Sequence, residues 1–207
     1  MHDLTDKLRP GAEAAHDAPA SATGQPGDSG VWVFIFADMC GFAVFFLLFM
    51  AGRMENLALY ESGRELLDLR LGLANTLILL TSGAFMARAV RQARSADWVG
   101  ARSSLWLTLI VGMLFAVSKG IEWGTKVSSG IGLLTNEFWT YYYVFTGIHF
   151  LHFVIGVGVL LVLIGRCDKP IPQADKLRWI ESGGAYWHMV DLLWIILFAM
   201  LYLLRAA

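Results

Sequence analysis

Apolar residues in this chain come in long unbroken runs, not in alternation. Five runs, Val31 to Gly52, Leu71 to Val90, Ser104 to Trp123, Phe138 to Gly165 and Ala185 to Leu204, are almost free of charge. A hydrocarbon core about 30 Å thick takes about 20 residues of helix to cross. Lipid offers backbone groups no partners, so such runs must close their hydrogen bonds internally as helices. Membrane strands would alternate apolar and polar positions instead. The pattern therefore predicts an all-α polytopic bundle of five transmembrane helices, occupying residues 31–207 as one domain. The fourth run is long enough to tilt or to project beyond the bilayer.

The polar stretches sort differently. Residues 1–30 are rich in Ala, Asp, Gly and Pro and hold no apolar signal core, so a flexible tail is expected. His2 and His16 within it read as solvated bystanders. The stretch "RMENLALYESGRELLDLR" from Arg53 reads as a solvated connector, with a short interfacial helix as the alternative. No internal repeat suggests an inverted-repeat transporter. Arg88, Arg91, Arg94 and Arg102 border the second connection between spans, and Arg166, Lys169, Lys176 and Arg178 the fourth. The opposite side has the sparser set Arg53, Arg64, Arg70, Lys126 and Arg205. Positive charge marks the cytoplasmic side, which predicts a cytoplasmic N-terminus and an external C-terminus.

Composition changes this picture little. The chain is 57% hydrophobic and 16% charged, against roughly 25% charged in soluble domains. The net charge of −1 and the lack of a basic stripe exclude nucleic acid as an expected partner. Cys40 and Cys167 fall near the cytoplasmic face, where a disulfide is not expected. Cys40 reads as a small buried hydrophobe. The eight tryptophans lie mostly near span ends, as interfacial anchors do.

Ionisable groups inside the runs carry the candidate chemistry, because each is expensive in hydrocarbon. Asp38 lies about 10 Å into the first run, and His188 and Asp191 lie about 5–9 Å into the fifth from the same side. His188 and Asp191 share a helix face. One cluster of Asp38, His188 and Asp191 is expected, either a proton-responsive or partner-contacting site or, more plainly, a hydrogen-bonded staple. A second cluster towards the outer face comprises Asn75, Lys119 and Glu122, with Lys119 and Glu122 as a same-face ion pair. Its plainer reading is an interfacial pair that snorkels. His149 and His152 sit mid-run and suggest haem. They share one helix and one face, and His188 is expected about 15–20 Å away along the membrane normal. A second axial ligand is then missing, and interhelical hydrogen bonds are the expected role. No nucleophile–base pair, phosphate loop, metal cluster or redox cysteine pair is visible, so neither catalytic residues nor a directly bound cofactor is expected.

The ordered set "VWVFIFADMCGFAVFFLLFMA", "ANTLILLTSG", "IEWGTKV", "YYYVFTGIHFLHFVIGVGVLL" and "ESGGAYWHMVDLLWIILF" resembles subunit III of haem–copper (cytochrome c) oxidases. The resemblance spans Val31 to Leu204. It is to the five-helix form that lacks the first two of seven helices, and the fourth and fifth spans read closest to the accessory protein of nitric oxide reductases. The resemblance implies a non-redox subunit of a bacterial inner-membrane respiratory complex. Haem and copper or iron would reside in the catalytic subunit I, against which this chain would pack. It also implies bound phospholipid and support of sustained activity and proton uptake. The family's first-span acid falls at Asp38, where seven-helix members usually have Glu. Its third-span acid falls at Glu122, its paired histidines at His149 and His152, and its last-span pair at His188 and Asp191. Two alternatives stand beside it: an independent proton or solute channel using the buried acids, and a b-type cytochrome using His149 or His152.

Overall fold

The computed structural model describes residues 27–204; His2, His16 and most of the expected tail lie outside the described residues. Helix α1 (Ser29–Glu55) starts at Asp28, whose carboxylate accepts the Gly30 N–H at 2.7 Å. Side-chain oxygens likewise satisfy the orphan N–H groups of α2 (Leu57–Glu65) at Asn56, α3 (Leu69–Arg94) at Asp68, α4 (Trp98–Ser128) at Asp97 and α5 (Glu137–Cys167) at Asn136. Helix α6 (Gln173–Phe198) follows Pro172 and ends in a single π-helical turn, Ala199–Leu203. Five of these helices, all but α2, are long and apolar enough to cross a membrane.

The spans outrun their apolar runs. Helix α6 begins at Gln173 rather than near Ala185, and α5 reaches Cys167. Hydropathy marks only what lipid covers, while backbone hydrogen bonding continues into the polar flanks. Lys176 from α6 donates to the Cys167 carbonyl at 2.9 Å and closes the end of α5.

Helix α6 lies at the centre, packed against α3, α5 and α1. Trp187 fills the space between α4, α5 and α6. A Cβ on Gly112 or on Gly156 would stand 3.0 Å from its ring, so both positions admit little beyond glycine. Trp139, Trp187 and Trp194 are buried, a correction to their reading as interfacial anchors: their rings fill wide gaps between helices. Between α3 and α4, Ser82 donates to the Thr108 carbonyl at 2.8 Å and Ser104 to Gln92 Oε1 at 2.6 Å. Such small polar residues hold helices together where lipid supplies no hydrophobic drive.

Helix α1 is the least buried span, with Phe42, Phe49 and Gly52 as its buried residues. Cys40 is exposed on it, not buried as expected, because α1 has neighbours on one side only. The stretch after Arg53 is not a plain connector but the helix α2. Its charges are engaged locally: Glu61 meets Arg53 at 2.6 Å and Arg64 at 3.0 Å. Its Tyr60 and Gly63 lie on Phe138 at the start of α5. Burial and then Glu137 push the Tyr60 phenol well above its ordinary range, so it stays neutral.

Candidate functional site

The polar groups inside the bundle form three constellations, and their membership differs from the expected one. Asp38 Oδ1 lies 3.0 Å from His152 Nε2, not beside His188 or Asp191 as their partner. The error was one of depth. Helices α5 and α6 are antiparallel, and α6 begins at Gln173, well before its apolar run, whereas α5 ends at Cys167, close to the end of its own. His152 lies as far from the end of α5 as His188 lies from the start of α6. Cross-links fix that register: Tyr186 donates to the His152 carbonyl at 3.0 Å, and His149 Nε2 donates to the Val190 carbonyl at 3.1 Å. The expected 15–20 Å offset between His188 and the mid-membrane histidines is therefore absent.

The Asp38–His152 bond has a definite proton requirement. His152 Nδ1 lies 2.8 Å from the Ile148 carbonyl, which can only accept, so Nδ1 carries hydrogen. The bond from Nε2 to Asp38 then needs a proton on one of the two groups. Phe42 packs on the imidazole at 5.8 Å between ring centres and shields the pair from lipid.

His188 and Asp191 do share a face of α6, with Nδ1 3.6 Å from Asp191 Oδ2. That separation is too long for a hydrogen bond. The Asp191 side chain is 7% exposed, whereas the His188 side chain is 47% exposed.

Lys119 and Glu122 are fully inside, so they do not snorkel. Lys119 Nζ lies 3.0 Å from Glu122 Oε2. Glu122 Oε1 accepts hydroxyls from Tyr142 at 2.5 Å and Tyr202 at 2.6 Å. The ammonium also stands over the rings of Tyr142 and Trp194, 4.9 and 5.1 Å from their centres. Three donors on one carboxylate and aromatic faces around one cation make a self-sufficient buried pair. Sequence reasoning found the pair by its spacing but missed Tyr202 and Trp194, which lie far along the chain. Asn75 is buried, but neither atom of its amide has a hydrogen-bond partner; the adjacent Thr76 accepts from Trp194 Nε1 at 3.1 Å.

His149 is an unpromising axial ligand. Its imidazole is fully buried between Phe115 and Trp194, with ring centres at 5.5 and 5.2 Å. Nε2 is bonded to Val190, and the packed rings leave no room for a porphyrin. Packing rather than depth thus argues against haem here. Among the described residues no three His, Cys, Asp or Glu side chains are placed to hold a metal ion.

A further polar knot, outside these three, ties the N-terminal side together. Glu181 accepts from the Gly27 N–H at 3.1 Å and from Arg94 at 2.9 Å, and Ser182 accepts from the Asp28 N–H at 2.9 Å. It joins α1, α3 and α6 through Glu181 and Ser182, which open the last family-like motif but had been given no role of their own.

Residues 14–205 match the family described as cytochrome c oxidase subunit III. Cytochrome c oxidase subunit 3 of Thermostichus vulcanus is 33% identical over 84% of this chain and 86% of its own length. That of Synechocystis sp. is 30% identical, over 84% of this chain and 74% of its own. A haem–copper oxidase subunit I+III of Aeropyrum pernix is 28% identical over 84% of this chain, which covers 22% of that protein.

Proposed function

The chain belongs to the cytochrome c oxidase subunit III family, accessory subunits of haem–copper terminal oxidases, and on that premise we propose that it sustains the catalytic subunit I without carrying electrons. It packs against subunit I in a bacterial inner membrane, N-terminus inside, prolongs turnover, and supports proton uptake on the cytoplasmic side; a phospholipid accompanies it. The Aeropyrum relative, whose name joins subunits I and III in one chain, supports that partner.

One observation carries this reading. Two of the intramembrane acids are bound into separate local pairs, Asp38 of α1 with His152 of α5 and Glu122 with Lys119 within α4. Such pairs hold a bundle together; they do not line a conducting file, which disfavours an independent channel. The experiment compares the catalytic complex purified with and without this chain. The expected result is an unchanged haem spectrum and initial rate, with activity that decays sooner when the chain is missing. A lost haem signal, or identical decay, contradicts it.

A second reading is the accessory protein of a nitric oxide reductase, favoured by the wording "TGIHFLHF" and "YWHMVDLLW". Assaying the co-purified catalytic subunit with oxygen and with nitric oxide separates the two. The named relatives, all oxidase subunits, favour oxygen.

A further inference from the structure

Asp191 differs from the other intramembrane acids in lacking a good partner. Glu122 takes three donors and Asp38 holds His152 at 3.0 Å. Asp191 Oδ1 is buried with no hydrogen-bond partner, and Oδ2 comes no closer than 3.6 Å to His188. Asp191 lies about 25 Å along α6 from its start, at mid-membrane depth, beyond the reach of headgroups.

The surroundings of this pair are open. Asp191 and His188 line a cavity of about 380 Å³ between α3 and α6, whose α3 wall is Gly83, Ala84 and Ala87. A Cβ on Gly83 would strike the Asp191 carboxylate, so only glycine there lets the acid reach the groove. Past His188 the groove continues into a hollow of about 520 Å³ that Ile35 and Met39 of α1 border. Small residues along one wall let a foreign backbone approach closely. An acyl chain would fill the space but donates no hydrogen bond, and an unsatisfied intramembrane acid is strongly disfavoured.

We propose that this α3–α6 groove seats a transmembrane helix of catalytic subunit I, which presents a hydroxyl, amide or guanidinium donor to Asp191 and a second polar contact to His188. This rests on the chain being an accessory subunit of the oxidase. The unpartnered acceptor defines the chemistry of the occupant, and the small-residue wall defines its closeness.

The test uses the intact complex, with the photo-cross-linker p-benzoylphenylalanine placed at Leu192 in the groove or at Leu114 on α4 outside it; both positions are exposed. Irradiation is expected to join position 192, and not 114, to subunit I. Ala84→Phe, at an exposed position, is expected to lower subunit I recovered with the tagged chain by about tenfold, roughly 1.4 kcal/mol of association. Asp191→Leu is expected to act likewise, and Ala84→Phe keeps the test decisive should that variant fold poorly. Adducts from position 192 with lipid alone or with a second copy of this chain, or undiminished recovery with Ala84→Phe, overturn the proposal. If subunit I still co-purifies and cross-links only from 114, the accessory reading stands and the groove assignment falls. If no haem-bearing protein accompanies the unsubstituted chain, both fall.

Discussion

At the scale of single residues, protons and partners decide what each polar group tolerates. Because the Ile148 carbonyl keeps hydrogen on His152 Nδ1, an amide at position 38 can donate to Nε2 where the carboxylate shares a proton. Asp38→Asn is therefore expected to cost less than half of what Asp38→Leu costs, the latter about 1–3 kcal/mol for an orphaned buried nitrogen. Thermal unfolding in detergent measures both, and the haem signal of the partner should not change. Equal losses would show that the bond is not maintained. The Lys119–Glu122 pair allows a sharper check. Removing one charge of a buried pair costs about 3–5 kcal/mol, whereas replacing both is nearly neutral. Lys119→Met should thus destabilise strongly, and Lys119→Met with Glu122→Gln should recover most of that loss. The glutamine oxygen still accepts from Tyr142 and Tyr202. Additive effects in this cycle would refute the coupling.

At the scale of elements, α2 and α1 depend on few attachments. Gly63 of α2 meets Phe138 so closely that an added Cβ would lie 2.6 Å from ring carbon Cγ. Gly63→Ala should lift α2 off α5 and speed amide exchange in 57–65 while the five spans keep their protection. Glu61 is held below the ordinary carboxylate range, first by the Arg53 hydrogen bond and then by Arg64. A lowered carboxylate stabilises above its unfolded pKa and loses that stabilisation as pH falls through the folded value. Protection of α2 should accordingly persist through mildly acid pH and vanish only below the ordinary carboxylate range; loss near pH 6 would exclude the Glu61 tether. Much of this level was legible in the sequence. Five apolar runs announce five spans because lipid demands internal hydrogen bonding. The ends were not legible, since α6 keeps its helix through "QADKLRWIES" without help from hydropathy. That one omission moved His188 in depth and misassigned the partner of Asp38. Tyr202 and Trp194 around Lys119 were hidden because contacts across many residues of chain leave no local signal.

At the scale of the whole molecule, the bundle is a set of rods held by shielded polar pairs, with one groove left incompletely satisfied at Asp191. The central claim is that the redox chemistry of the complex belongs to another subunit. It is most directly measured by capturing the tagged chain in mild detergent, stripping its partners with a harsher one, and recording the visible spectrum of each fraction. The predicted result is a Soret band in the partner fraction and none in the chain, with the chain still helical by circular dichroism. A Soret band that stays with the chain contradicts the claim.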